Sequence, residues 1–385
     1  MTPGILLVLL VLLVAVVLAW ANGANDVSKG VATLVGSGVT DYRRAIAWGS
    51  LWTGVGGVLG AFFAGAMLAT FGNGLLAPGT SPTLLGALAA LAGAGAWVVV
   101  ATRAGLPVST THAIVGSLVG VAMLAYGSGA VQWGALGSKV ILPLLLTPLL
   151  SLVLTGLLLR LQLARAGAGS PDADCLCAEV EPSPAASAPG ADGAVAFEGL
   201  QPVLRITRAP TRDCAADRPR AVRLTLGHLH WLTSGATSLA RGMNDSPKIV
   251  ALALAASALG ATAAVPAPVL YAAVTAAMVA GSLVGGLRVT RVLAEDVTPM
   301  DDREGFAANL VTAVLVTTGA VYGLPMSTTH VSSGGIFGAG AQRGTLDHSS
   351  LRSILSAWIV TLPAAAILGA ACYAVAFALG ASGSA

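Results

Sequence analysis

Gly23-Ala24-Asn25-Asp26-Val27-Ser28-Lys29 returns in the second half of the chain as Gly242-Met243-Asn244-Asp245-Ser246-Pro247-Lys248. A second pair of motifs follows, Gly105-Leu106-Pro107-Val108-Ser109-Thr110-Thr111-His112 and Gly323-Leu324-Pro325-Met326-Ser327-Thr328-Thr329-His330. The spacing from first motif to second differs by a single residue between the halves, so the chain is an in-register duplication.

The sequence around these motifs is oily. Of the 385 residues, 10% are charged and 55% apolar, whereas a soluble domain carries about 25% charged residues. The runs from Ala45 to Thr102 and from Ile249 to Leu287 hold no charge and exceed the ~20 residues that cross a bilayer. The expectation is an all-α polytopic membrane protein in a cell membrane, with about ten to twelve membrane segments. Ile5 to Trp20 has no basic n-region and leads straight into a motif, so it reads as the first helix, not a signal peptide. Glycine, at 48 residues, suits a bundle in which membrane helices approach closely. The net charge of +3 comes mainly from loops, reports topology and gives no sign of nucleic-acid binding.

Loop charges orient the halves, because Lys and Arg collect on the cytoplasmic side. Asp41-Tyr42-Arg43-Arg44 follows the first Asn-Asp motif, while the matching stretch Gly260 to Pro268 is uncharged. One helix later the pattern reverses: Gly72 to Pro82 is uncharged, but Arg288 to Glu304 carries Arg288, Arg291 and Arg303. Tyr42 and Ala294 are therefore expected on the cytoplasmic side and Ala261 outside, which makes the repeats inverted in the membrane. Inverted repeats are a common transporter architecture, with the substrate site near the midplane where discontinuous helices meet. Residues 1–160 form the first transmembrane repeat and 221–385 the second. Between them, residues 161–220 are polar and read as a flexible cytoplasmic linker, whose Arg-rich part could rest on anionic headgroups.

Charges inside a bilayer cost at least ~2.5 kcal/mol each, so Asp26, Lys29, Asp245 and Lys248 need a reason to be there. Each Asp precedes its Lys by three residues and can pair with it on one helix face; a structural ion pair fastening helices is the competing reading. Pro107 and Pro325 can open helices, which puts Ser109, Thr110, Thr111, Ser327, Thr328 and Thr329 at helix starts. There, hydroxyls and free N–H groups suit an anion, or serve as ordinary caps. His112 and His330 could carry protons or donate to the anion, or fix the helix breaks by bonding a backbone carbonyl. Arg241, standing where the first half has Asn22, has a planar fork suited to an oxyanion, or snorkels to the interface. Cys175, Cys177, Cys214, His228 and His230 match no standard zinc spacing, and no metal site is expected.

At these residues the sequence resembles the inorganic phosphate transporter (PiT) family, whose halves carry Gly-Ala-Asn-Asp-Val-Ala-Asn-like and Pro-x-Ser-Thr-Thr-His-like motifs. Gly23 to Val27 fits the first, and Pro107 to His112 and Pro325 to His330 fit the second. Outside the linker the resemblance spans essentially the whole chain. It implies symport of phosphate with sodium or protons through a site built from Asn25, Asp26, Asn244 and Asp245 together with the Ser-Thr-Thr hydroxyls. The chain departs from the family's second Asn, which becomes Lys29 and Lys248, so a tethered ammonium could replace a bound sodium or bind the anion directly.

The expectation is a secondary transporter, not an enzyme, that carries inorganic phosphate by alternating access without an enzymatic cofactor. A sulfate permease of the same build is the nearest rival. An intramembrane hydrolase using Ser109 or Ser327 with His112 or His330 lacks a Gly-x-Ser-x-Gly elbow, and a passive channel lacks a ring of one charge. Monomer and homodimer both stay open.

Overall fold

The computed structural model describes residues 3–63, 65–72, 74–166, 175–183, 201–209, 222–260 and 265–380. Two compact units result: Met1–Leu159 with His230–Ala385, and Arg160–Leu229. Most of both repeats falls within the first unit.

In the first half the helices are α1 (Pro3–Asp26), α2 (Ser28–Gly36), α3 (Tyr42–Gly60), α4 (Gly65–Gly72), α5 (Leu84–Arg103), α6 (Thr110–Tyr126), α7 (Trp133–Ala135) and α8 (Leu142–Ala166). The second half has α9 (Leu226–Gly260), α10 (Ala267–Gly285), α11 (Leu287–Arg291), α12 (Asp302–Val321), α13 (Thr328–Arg343) and α14 (His348–Ala378). Among the described residues, six stretches are long and apolar enough to span a membrane by length and composition, including Leu9–Gly36, Leu84–Arg103 and His348–Ala378.

Glycines place the repeats against each other. A Cβ at Gly281 would lie 2.0 Å from the Trp20 carbonyl oxygen, and one at Gly56 would lie 2.0 Å from that of Leu239. These are equivalent contacts, since Trp20 corresponds to Leu239 in the duplication. Ala24 likewise meets Gly285 as Met243 meets Gly60. So α1 runs parallel to α10, and α9 runs parallel to α3. Because α2 and α3 are antiparallel through Leu34, Val31, Ala45 and Gly49, α9 runs opposite to its counterpart α1, in agreement with the inversion read from loop charges. Gly116 and Gly120 meet Leu362 and Ala366 on α14, while Gly334 and Gly338 meet Pro148 and Leu152 on α8, repeating the exchange. Close backbone approach supplies dispersion contacts where lipid removes the hydrophobic drive between helices.

Helices α5 and α6 form an antiparallel hairpin, with Gly93 beside Ser117 and the Thr83 N–H donating to the Tyr126 hydroxyl. Helices α12 and α13 form another, with Gly335 beside Ala308 and Gly319 beside Met326. Each first helix ends on a glycine with φ of +75° at Gly105 and +67° at Gly323. Leu106 N–H bonds the Ala101 carbonyl and Leu324 N–H bonds that of Gly319, closing the left-handed C-terminal motif for which glycine lacks a steric penalty. Pro107 and Pro325 therefore sit in the extended tips instead of the first helical turns; α6 and α13 begin only after the caps Ser109 and Ser327. The two tips meet: Thr111 Oγ1 donates to the Met326 carbonyl at 3.3 Å and Thr329 Oγ1 to that of Val108 at 2.8 Å. The Ser-Thr-Thr-His segments open the second arms of two helical hairpins that meet tip to tip.

Tyr42 and the segment around Ala294, both expected on the cytoplasmic side, do come together. The Tyr42 hydroxyl bonds Glu295, and the Arg291 guanidinium lies 5.9 Å from the Tyr42 ring centre, within range for a cation–π contact. Ala294 itself is buried, and Ala261 lies outside the described residues.

The smaller unit, where composition gave only a polar linker, contains strands β1 (Cys175–Ser183), β2 (Gln201–Ala209) and β3 (Val222–Thr225). They form an antiparallel sheet in the order β2-β1-β3.

Two outcomes follow from this packing. Gly56→Ala or Gly281→Ala should destabilise the protein by about 1–3 kcal/mol through overpacking, whereas Gly156→Ala, with nothing near its Cβ position, should be neutral or mildly stabilising; thermal unfolding in detergent checks both. Single cysteines at the exposed positions Arg43 and Val269, in a background with the native cysteines replaced, should be labelled by an impermeant maleimide from opposite sides of the membrane.

Candidate functional site

The Asn-Asp motifs and the hairpin tips converge on one buried polar cluster. Asn22, Asn25, Asp26, Lys29, Arg241, Asn244, Asp245 and Lys248 are all at most 3% exposed. At the junction of α1 and α2, Lys29 Nζ contacts the Asn25 carbonyl at 2.8 Å, Asn25 Oδ1 at 2.6 Å and Asp26 Oδ1 at 2.7 Å. Lys248 Nζ contacts Thr111 Oγ1 and the Met326 carbonyl, each at 2.8 Å, and Asp245 Oδ1 at 3.2 Å. Three acceptors around each nitrogen match the three donors of an ammonium. The expected i, i+3 ion pairs are therefore both formed.

Arg241 is the largest fully buried side chain among the described residues, so it does not snorkel. Its guanidinium donates to Asn22 Oδ1 at 3.4 Å, to Ser282 Oγ at 3.3 Å and to Thr53 Oγ1, while Nε has no partner among the described residues. Asn22 and Arg241 are equivalent positions of the duplication and touch where the two repeats meet. Asn22 Nδ2 also reaches Asp26 Oδ2 at 2.8 Å, Thr110 Oγ1 at 3.0 Å and Asp245 Oδ2 at 3.1 Å. It links both acids, and the sequence reading missed it, as it missed Thr53, Ser282 and Thr102. The correspondence of Asn22 with Arg241 was the available signal.

Several residues read as anion ligands have other partners in this arrangement. Asn25 uses two donors on Thr102 Oγ1 and the Leu106 carbonyl, and its Oδ1 accepts from Val108 N–H and Lys29, which fills an amide's capacity. Ser109 and Ser327 cap their helices by accepting from His112 N–H and His330 N–H. Thr110 donates to Asp26 Oδ2 at 3.1 Å, and its counterpart Thr328 is buried at the start of α13. Asn244 donates to Asp245 Oδ1 and the Met326 carbonyl, leaving its buried Oδ1 without a partner among the described residues.

The two histidines lie ring against ring, with centroids 4.6 Å apart, and His330 packs on Trp358 at 3.9 Å. Ser327 Oγ lies 2.6 Å from His330 Nδ1, so a Ser-His pair exists; both acids, however, are engaged with lysines and Asn22, not with a histidine. Away from the cluster, His228 Nδ1 bonds Thr225 and His230 Nε2 lies 3.0 Å from Thr33 Oγ1. Cys214 lies outside the described residues.

The model of the phosphate transporter family matches residues 22–369, which takes in both repeats and all four motifs. A relative from Thermococcus kodakarensis that bears a phosphate permease name is 30% identical, over 94% of this chain and 96% of its own length. The chloroplastic inorganic phosphate transporter 2-1 of Arabidopsis thaliana is 29% identical, over 91% of this chain and 69% of its own length. A solved structure, that of a sodium-dependent phosphate transporter, shares the fold, with a TM-score of 0.77 at 20% identity over 97% of this chain and 99% of that one. A duplicated, hairpin-bearing bundle around a buried polar centre, matched in sequence across both halves, makes this multi-pass membrane protein a member of the phosphate transporter family, whose members are transporters and not enzymes.

Proposed function

We propose that the chain carries inorganic phosphate across the membrane by alternating access, with the anion held at the cluster between the hairpin tips. The observation that carries this reading is charge. Lys29, Lys248 and Arg241 face only Asp26 and Asp245 in a fully buried cluster, and Arg241 has no carboxylate ion pair among the described residues. One positive charge is left over, at a place where an unbalanced charge costs at least ~2.5 kcal/mol, and an anion would balance it. The guanidinium fork beside Thr53, Ser282 and Asn22 fits a tetrahedral oxyanion.

Sulfate would satisfy charge equally well. Phosphate at neutral pH keeps an O–H donor, and Asp245 Oδ2 accepts from Asn22 alone among the described residues, so a lone pair remains for it. The tips are tied by Thr111 and Thr329; in this reading admission of the anion from either side requires one of these ties to break, and inverted repeats would make the two openings equivalent. Dispersed hydroxyls and caps then turn towards the anion as the tips part.

Labelled phosphate uptake into proteoliposomes tests the reading. Uptake should saturate and resist a tenfold excess of sulfate; equal competition by sulfate would favour a general oxyanion permease. Arg241→Gln removes the unpaired charge and should lower uptake by about ten- to a hundredfold, the worth of a charge-assisted hydrogen bond of ~1.5–3 kcal/mol, with Arg241→Lys intermediate. Thr110→Val and Thr328→Val keep shape but remove a hydroxyl, and each should reduce uptake about tenfold.

A further inference from the structure

The solved neighbour is sodium-dependent by name, so the fit of this chain's centre to a sodium ion can be tested on its own residues. A hard alkali cation between broken helices takes main-chain carbonyls, carboxylates and neutral side-chain oxygens. Both halves of this chain build such oxygen cradles, and in both a lysine nitrogen lies in the cradle. Around Lys29 the oxygens are the Asn25 carbonyl, Asn25 Oδ1 and Asp26 Oδ1, at 2.6 to 2.8 Å. Around Lys248 they are the Met326 carbonyl, Thr111 Oγ1 and Asp245 Oδ1, at 2.8 to 3.2 Å.

We infer that Lys29 and Lys248 are tethered substitutes for bound alkali cations, and that this chain moves its anion without taking up sodium. Each lysine nitrogen is covalently tethered beside an acid, the place a bound cation would occupy only while bound. Both nitrogens are buried, at 1% exposure for each residue, so a sodium ion in either cradle would have to displace a covalently attached charge or sit against it, with little solvent to screen the repulsion. The lysines occur at equivalent positions of the duplication, as a substitution serving both half-sites would require. An ion pair fastening α1 to α2 explains Lys29 in part, but Lys248, besides pairing with Asp245 on α9, reaches the opposite hairpin through Thr111 and the tip of its own hairpin through Met326. The cargo in this inference rests on the phosphate reading above; the occupancy of the cradles stands on the geometry alone.

The experiment measures sodium binding first and transport second. Purified full-length protein is titrated with sodium chloride against choline chloride at constant ionic strength, following the thermal unfolding midpoint and the binding of radioactive sodium. Native protein should show no sodium-specific shift and no saturable binding, whereas the Lys29→Asn/Lys248→Asn double variant, which restores neutral oxygens beside the acids, should gain both; the single variants are read in the same way. Saturable sodium binding to the native protein overturns the inference. Variants that fold yet gain no sodium binding also overturn it, and leave the lysines as structural pairs. In proteoliposomes, native phosphate uptake should be equal in sodium and choline, and uptake by the double variant should rise with sodium. Absence of phosphate uptake in either salt would defeat the transport reading, while the binding arm would still decide the lysines' role.

Discussion

Asp26, Lys29, Arg241, Asp245 and Lys248, enclosed together in an apolar bundle, set the terms for everything else in this protein. Each would be costly alone in such a medium, and breaking a buried pair leaves an uncompensated charge worth several kcal/mol. The solution is dense mutual satisfaction: each of the two lysine nitrogens has three oxygen partners, and Asn22 joins both acids and Thr110. That network needs groups from α1, α9 and both hairpin tips at once, so the helices can be arranged in few ways that satisfy it.

Glycine makes this convergence physically attainable. At Gly23, Gly56, Gly242 and Gly281 an added Cβ would fall within 2.4 Å of a backbone oxygen on the neighbouring helix, so the motif helices lie closer than any larger residue allows. The same device seats α8 and α14 on the hairpin helices of the opposite repeat. Crossings and charge network depend on each other, because the distances of 2.6 to 3.2 Å at the lysines leave no slack for a shifted helix.

The cluster is also uneven, although the sequence motifs are nearly equal. Lys29 turns back onto its own helix junction, whereas Lys248 reaches the hairpin tips. Helix α9 runs unbroken through Pro247, while the first half divides into α1 and α2 at Val27. Arg241 against Asn22 puts a buried guanidinium on one repeat only. The duplicated halves thus meet at a centre that is itself polarised.

The sequence by itself determined the duplication, the membrane class and the identity of the charged residues, because each is written in composition or motif register, and its loop charges pointed to an inversion with which the helix directions are consistent. It determined as well that Asp26 pairs with Lys29 and Asp245 with Lys248, since helical spacing of three positions is a local matter. Only the tertiary structure decided what those groups face. The roles of Asn22, Thr53 and Ser282 depend on contacts between segments far apart in the chain, and no local pattern encodes them. The ring contact of His112 with His330, and the use of Asn25, Ser109 and Ser327 as braces and caps, likewise follow from two hairpins meeting tip to tip. The short sheet of the smaller unit was invisible to composition, because strand pairing between separated polar stretches leaves little periodic signal. Local chemistry is legible along a chain; the choice of partner is made by packing, where close approach at glycine and the cost of unpaired charge act together.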